Sequence, residues 1–239
     1  MVKIEEELKE LKLSGMAQCW RSLMETRKLD ALPFTDGMQL LVQSEKDHRR
    51  RNRDTRLLKN AAFRYDVCME EVAFDVARGF EKARIMELAT CGYLQHGVPV
   101  IITGPAGTGK SYLASAFGHQ ACLMGYKVAY FNMYRLMEKI TMARIESTLP
   151  KFFDRMMQTD LLILDDFGVK VLERQQLLDF MEIIEDRHGR KSTIIVSQIP
   201  VSDWYDVLKS NTTAADAILD RIVHTAQRFE LKGESLRKK

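Results

Sequence analysis

The chain has 239 residues, and its 36 lysine and arginine side chains against 33 aspartate and glutamate side chains give a formal net charge of +3. This length allows one large domain or one domain with a smaller appendage, and the mean charge by itself indicates no partner. The four cysteines are widely spaced, which argues against a zinc site and a disulfide framework. An acidic start and the lack of a long apolar run argue against a signal peptide and a membrane span, so we expect a cytoplasmic protein.

The first 65 residues are predicted to be helical. Apolar residues recur at helical spacing from Ile4 to about Arg27, in two successive helices. A loop at residues 32–37 then precedes a third helix from Met38 to about Asn60. We therefore expect a helical N-terminal domain at residues 1–65 and a second domain at residues 66–239.

The third predicted helix is strongly basic. Residues 46–64 contain eight lysines and arginines and two aspartates, and Arg49, Arg53 and Arg56 share one helical face. Such a face is suited to the phosphates of duplex DNA. The alternative is a solvated or intersubunit face whose arginines pair with carboxylates. The predicted DNA-binding residues are Arg49, Arg50, Arg53, Arg56 and Lys59.

The second domain is predicted to be α/β. A helical stretch at residues 70–90 precedes five apolar strands that alternate with helices, which indicates a parallel sheet with right-handed crossovers. The predicted strands are residues 98–103, 127–131, 161–164, 193–197 and 227–231.

A glycine-rich loop follows the first of these strands and opens a helix. It reads Gly104-Pro-Ala-Gly-Thr-Gly-Lys-Ser111, so backbone N–H groups can surround phosphates, Lys110 can reach the outer phosphates and Ser111 can bind Mg²⁺. A glycine-rich turn without a ligand is the alternative, but the fixed positions rarely coincide by chance. The predicted ATP-binding residues are Gly104, Pro105, Ala106, Gly107, Thr108, Gly109, Lys110, Ser111 and Tyr112.

Two aspartates end the third predicted strand. We expect Asp165 to hold Mg²⁺ together with Ser111, and Asp166 to act on the attacking water. The alternative is that the pair only caps the following helix. Ser197, or else Gln198, is predicted to reach the γ-phosphate or the water, although a polar residue at a strand end is also a common turn former.

The order of these motifs resembles the AAA+ ATPases, in the branch that holds the DnaC helicase loaders and the IstB transposition helpers. The likeness to IstB is closer and spans nearly the whole chain, including residues 11–16, 45–56, 197–204 and 231–237. Asp166 departs from the glutamate that many relatives carry there, and its shorter side chain makes the catalytic role less secure than the metal role of Asp165.

Membership would imply an AAA+ P-loop fold with sheet order 5-1-4-3-2 and ATP-dependent self-assembly on duplex DNA, which is delivered to a cognate transposase. It would also imply that Arg221 is an arginine finger that completes the catalytic site of a neighbouring subunit. We expect no C-terminal lid domain, and whether Arg237 replaces the second sensor arginine of such a lid stays open.

Three other functions are compatible with the same loop. A helicase loader acting on single strands would use stacking aromatics and a basic groove, for which Tyr130, Phe131, Tyr134 and Arg135 are available. A small-molecule kinase would need an acceptor pocket and a lid and has no use for the basic helix. A structural protein that binds ATP without turnover is the third alternative.

Overall fold

The computed structural model describes residues 2–26 and 32–236, so Arg27 and Arg237 lie outside the described residues. The chain divides into two compact units, residues 1–56 and residues 57–239. The expected boundary was after residue 65. Each unit is described by itself below.

The first unit consists of helices, as predicted. They are α1 (Val2–Glu10), α2 (Ser14–Glu25) and the greater part of α3 (Phe34–Ala61), which continues into the second unit. The prediction of a loop through residue 37 was wrong, because α3 already begins at Phe34. Pro33 precedes the helix, and its carbonyl accepts the N–H of Gly37 at 3.0 Å, which closes the first turn.

Glu45 of α3 caps α2 from outside. Leu13, the residue before α2, offers no side-chain cap, and the Glu45 carboxylate instead accepts the N–H groups of Gly15 at 2.7 Å and Met16 at 3.2 Å. Arg49 donates to the other Glu45 oxygen at 2.7 Å. Burial works against ionisation of Glu45, but these donors outweigh it and lower the pKa of Glu45 below its ordinary value.

The second unit is a five-stranded parallel sheet covered by helices. The strands are β1 (Val100–Thr103), β2 (Val128–Asn132), β3 (Leu161–Phe167), β4 (Ser192–Ser197) and β5 (Gln227–Glu230). Their order is β2-β3-β4-β1-β5, which confirms the order that the family resemblance implies. The helices are α4 (Lys82–Ala89), α5 (Gly92–Gln95), α6 (Lys110–Leu123), α7 (Met133–Ile145), α8 (Leu149–Met157), α9 (Arg174–Arg187), α10 (Trp204–Leu208) and α11 (Thr212–Val223). Within the described residues, no α-helix follows β5.

The helix predicted over residues 70–90 is wrong in its first half. The chain there forms two short 3-10 helices, Met69–Glu71 and Val76–Arg78, and only then α4. Asp75 accepts the N–H of Ala77 and starts the second short helix, and Gly79 ends it with a φ of 85°. A continuous α-helix cannot pass through that left-handed position.

Apolar layers cover both faces of the sheet, and a buried arginine ties its amino end together. Arg187 is 1% exposed and lies at the end of α9, where burial lowers its pKa to about 10. All of its donor groups are used: Nε donates to the Thr193 hydroxyl, Nη1 to the carbonyls of Met156 and Thr159, and Nη2 to the carbonyls of Asp160 and Ser192. These contacts fix the entry points of β3 and β4.

Candidate nucleotide-binding site

The predicted phosphate loop joins β1 to α6 at the carboxyl edge of the sheet. Gly104 has a φ of 146°, and a Cβ there would lie 2.1 Å from the carbonyl oxygen of Leu231, so only glycine fits. The buried Lys110 donates to the carbonyl of Pro105 at 2.7 Å. The first-turn N–H groups of α6 have no partner within the helix and point towards the loop, as an anion-binding site requires.

A cavity of about 670 Å³ lies against this loop. Its size is in the usual range for sites that enclose a small molecule. Its far wall comes from residues 64–80, including Tyr65, Val72, Arg78 and Phe80, a segment to which sequence reasoning assigned no part in binding. Six of the predicted ATP-binding residues line it: Ala106, Gly107, Gly109, Lys110, Ser111 and Tyr112.

The two aspartates of β3 face the same site because the strand is irregular there. Leu164 pairs with Ile195 and Phe167 with Ser197, so β3 contains one residue more than β4 in this interval. Asp166 takes up the extra residue with a left-handed φ of 58°. In a regular strand the two side chains would point to opposite faces, whereas here one Arg64 nitrogen, Nη1, lies 3.2 Å from an Oδ2 of each.

Asp165 connects the strand to the phosphate loop. It is 1% exposed, and its Oδ1 accepts the Ser111 hydroxyl at 3.0 Å. Its Oδ2 accepts the hydroxyl of the buried Tyr130. Burial, together with the carboxylate, raises the pKa of Tyr130 well above its ordinary value, which keeps this hydroxyl a donor.

The oxygens of Ser111 and Asp165 fit a magnesium ion that is held jointly with a bound triphosphate. Mg²⁺ usually takes one or two protein oxygens plus phosphates and water. The described residues contain no cluster of three or more acidic, histidine or cysteine side chains that would hold a metal unaided. A cation at this site would therefore bind weakly without the phosphates and more tightly with them.

Asp166 is more accessible than Asp165. Its side chain is 28% exposed, and it accepts hydrogen bonds from the amides of Asn132 at 2.8 Å and Gln198 at 3.5 Å. It also lines the 670 Å³ cavity. An ionised carboxylate held by two amides and open to solvent is placed to orient a water molecule.

Ser197 and Gln198 differ in where they point. Ser197 is 0% exposed, and its hydroxyl donates to the carbonyl of Phe167 at 2.8 Å and accepts the N–H of Ile199 at 3.2 Å. Gln198 lines the cavity and reaches Asp166. Of the two sensor candidates, the structure brings Gln198 into the site and leaves Ser197 in the backbone network behind it.

Arg221 lies apart from the cavity of its own chain. It forms an ion pair with Glu185 at 2.5 Å and donates to the carbonyl of Ala217 at 2.9 Å. It lines a shallow pocket with Asp216, Asp220 and other residues of α11. This placement is compatible with a role for Arg221 in the site of a second subunit. Arg221 does not line the 670 Å³ cavity of its own chain.

The predicted DNA-binding residues are exposed but not all unpaired. Arg49 contacts Glu45, while Arg50 and Arg53 both contact Asp54. Among the described residues, no carboxylate lies within ion-pair distance of Arg51, Arg56 or Lys59, which are also exposed. The alternative prediction, that the arginines of this face pair with carboxylates, therefore holds for Arg49, Arg50 and Arg53.

Sequence reasoning missed three residues that contact the aspartates. Arg64 was counted only in the basic run, Tyr130 was considered for stacking on bases, and Asn132 was not considered. Tyr130 is buried, so its ring is not available for stacking. The position of Asn132 directly after a strand was a signal, because the carboxyl ends of parallel strands meet at one edge.

Comparison with known proteins gives a full-length match. The family described as IstB-like ATP binding protein matches residues 6–239. The insertion sequence ATP-binding protein y4pL of Sinorhizobium fredii is 37% identical over 233 residues, covering 98% of this chain and 95% of the relative. The insertion sequence IS21 ATP-binding protein of Pseudomonas aeruginosa is 28% identical over 239 residues, covering 100% and 90%.

Solved structures share the fold. The DnaC helicase loader superposes with a TM-score of 0.54 at 22% identity, over 63% of this chain and 87% of that one. The AMPPCP-bound DnaA from Aquifex aeolicus has a TM-score of 0.59 at 20% identity, over 72% and 52%. At these identities the likeness shows the fold alone. None of the described helices is long and apolar enough to cross a membrane.

Proposed function

Because the chain belongs to the family of IstB-like ATP-binding proteins, we propose that it is a Mg²⁺-dependent ATPase of transposition that assembles on duplex DNA, remodels it and recruits a transposase. The observation that carries the ATPase part is the hydrogen bond between Ser111 and Asp165. It joins the phosphate loop to the acidic edge of the sheet, where a magnesium ion and a triphosphate are held in P-loop enzymes. The relatives' names support ATP binding and an insertion-sequence context.

The residues divide the work of hydrolysis by position. Lys110 and the N–H groups at the start of α6 bind the phosphates, and Ser111 with Asp165 holds Mg²⁺. Bound magnesium neutralises charge on the outer phosphates. Asp166, held by Asn132 and Gln198, orients the attacking water and accepts its proton.

DNA binding is proposed for the basic part of α3. The exposed cations there attract a phosphate backbone without reading bases, so the affinity for duplex DNA is expected to be independent of sequence and sensitive to salt. Specificity for the target would then belong to the transposase. The weak pairing of Arg50 with Asp54, at 3.9 Å, costs little to exchange for a phosphate.

Self-assembly is proposed to depend on Arg221. An arginine that completes the site of a second copy makes ATP bind the assembled form better, so ATP drives assembly. Loss of the Glu185 ion pair on insertion costs little, because Glu185 is 55% exposed. Variant Arg221→Ala should bind ATP as a monomer but fail to form ATP-dependent oligomers in light scattering.

The first experiment measures ATP binding and phosphate release. Lys110→Ala should lose Mg·ATP binding in calorimetry, while Lys151→Ala, an exposed lysine on α8, serves as the matched control. Asp166→Asn should still bind ATP but release phosphate at a small fraction of the parent rate. Unchanged ATP affinity in Lys110→Ala contradicts the site, and phosphate release by Asp166→Asn at the parent rate contradicts the role of Asp166. If the parent itself releases no phosphate, the protein binds ATP without turnover.

The second experiment measures DNA binding by anisotropy at several salt concentrations. Reversal of Arg49, Arg53 and Arg56 to glutamate should weaken duplex binding and flatten its salt dependence, with ATP binding intact. The same charge change at Lys151, Arg155 and Arg190 is the control. An unchanged salt slope removes the helix from the proposal, and a clear preference for single strands would favour a helicase loader.

A further inference from the structure

We propose that Arg64 is the resident cation of the Asp165–Asp166 pair and competes with Mg²⁺ for it. The proposal rests on the ATPase site described above and adds a residue that controls metal entry to it. The central observation is that one guanidinium nitrogen, Arg64 Nη1, lies 3.2 Å from Oδ2 of both aspartates. Arg64 thereby provides the charge that a metal ion would otherwise provide.

A positive partner stabilises the acid pair. Asp165 is 1% exposed, and an ionised carboxylate at that depth is costly unless a cation or several donors compensate it. Tyr130, Ser111 and the N–H of Asp166 supply neutral hydrogen bonds to it. Arg64 forms an ion pair with each of the two aspartates.

Two cations at this pair oppose each other. A divalent ion beside Asp165 would lie a few ångströms from the Arg64 guanidinium, and like charges at such distances repel strongly in a partly buried site. Metal binding therefore requires Arg64 to withdraw, and removal of its charge should strengthen metal binding. The metal ion and the arginine therefore compete for the same two carboxylates, even if they do not occupy the same position.

Arg64 has room to withdraw. Its side chain is 40% exposed, and it lines both the 670 Å³ cavity and a second cavity of about 450 Å³, each of which Asp166 also lines. The Tyr65 ring already lies 5.7 Å from its guanidinium carbon, a cation–π contact that does not depend on the aspartates. These surroundings differ from those of Arg187, whose donors are all held by buried oxygens.

The test measures Mn²⁺ binding to the full chain without nucleotide, by the loss of the free-ion signal in electron paramagnetic resonance. Arg64→Gln should bind Mn²⁺ at least about tenfold more tightly than the parent protein, since one unit charge is removed beside the metal. Arg64→Lys keeps the charge and should bind like the parent. Arg190→Gln removes an exposed charge elsewhere and is the matched control.

A double variant locates the effect. Arg64→Gln combined with Asp165→Asn should lose the gain in Mn²⁺ affinity, because the metal then lacks its buried carboxylate. Equal or weaker Mn²⁺ binding by Arg64→Gln overturns the proposal, as does a gain that survives Asp165→Asn or that also occurs in Arg190→Gln. Circular dichroism verifies that each variant is folded.

Titration of the parent protein with a fluorescent ATP analogue separates this proposal from the ATPase assignment. If the parent does not bind ATP but Arg64→Gln still binds Mn²⁺ more tightly, the ATPase assignment fails and the cation competition stands. With ATP binding but no gain, only the competition fails. The Mg²⁺ concentration that half-saturates ATP binding should also be higher for the parent than for Arg64→Gln, because Mg²⁺ must displace the arginine.

Discussion

Arg187 and Arg64 lie at opposite ends of the same sheet and meet their surroundings in different ways. Arg187 is buried at the amino end, and its donors contact four backbone carbonyls and one hydroxyl. Arg64 is 40% exposed at the carboxyl end and contacts two carboxylates through one nitrogen. The first arrangement has no substitute, whereas we propose that a divalent metal ion replaces the second.

The difference separates a part of the sheet that maintains structure from a part that exchanges partners. Carbonyls that bind Arg187 would be left without donors in its absence, at a cost that water cannot relieve. The carboxylates of Asp165 and Asp166, at the carboxyl end, can instead bind a metal ion or water. We therefore expect substitutions at the amino end to affect stability, and substitutions at the carboxyl end to affect ligands.

The largest expected effect is that of Arg187→Met. It leaves several buried oxygens unsatisfied, so the free energy of unfolding of the second unit should fall by about 3–5 kcal/mol. Urea denaturation followed by circular dichroism measures the loss. ATP affinity of the folded fraction should change less than about twofold, because the site is distant. A loss below about 1 kcal/mol would remove the contrast between the two arginines.

Gly104→Ala should have the next largest effect. The new Cβ would collide with the carbonyl of Leu231, which is backbone and cannot swing away, so we expect a loss of about 2–4 kcal/mol and weaker ATP binding. Thermal unfolding and ATP titration measure the two. Ala106→Gly, in the same loop, is the control for added flexibility. Full stability in Gly104→Ala would mean that the loop moves freely against β5.

Tyr130→Phe tests the link between the core and the metal site. Loss of the hydrogen bond to Asp165 should cost about 1.5–3 kcal/mol, the usual range for a bond to a charged group. It should also make Mg·ATP binding weaker, because Asp165 is then less firmly oriented. Tyr126→Phe, on the same side of the sheet, is the matched control. An effect on stability without any effect on Mg²⁺ dependence would assign Tyr130 to the structural group.

The smallest expected effect on stability is that of Arg64→Gln. Arg64 itself is 40% exposed, a glutamine amide can still donate a hydrogen bond there, and Tyr130, Ser111 and the Asp166 N–H already donate to Asp165, so the free energy of unfolding should change by less than about 1 kcal/mol. The same urea titration as for Arg187→Met measures it. A loss comparable to that of Arg187→Met would show that Arg64 is a structural residue, and would weaken its role as an exchangeable cation.

Features that depend on neighbouring residues in the chain could be predicted. The strand before Gly104, the helix after Ser111 and the buried strand before Asp165 each follow from a local pattern, and the structure contains all three. The order of the strands needed more than local patterns, and here the family resemblance supplied it. The prediction of one helix over residues 70–90 was wrong, because the capping by Asp75 and the left-handed Gly79 outweigh the helical spacing of the apolar residues.

Features that depend on distant contacts could not be predicted. Arg64 and Asp165 are 101 residues apart, and nothing in a single sequence pairs them. The choice between Ser197 and Gln198 was also out of reach, because β4 is buried on both faces and its residues do not alternate between apolar and polar. The irregularity of β3 at Asp166 is visible only in the pairing of strands.

The chain beyond β5 lies close to the phosphate loop. Leu231 N–H donates to the carbonyl of Thr103 at 2.7 Å, and Leu236 N–H donates to that of Gly107 at 2.9 Å. Anything fused to the C-terminus is therefore joined to a segment that contacts the phosphate loop through Leu236. An affinity tag for purification is better placed at the other terminus, whereas a fluorophore attached downstream of Leu236 would make a sensitive reporter of loop movement.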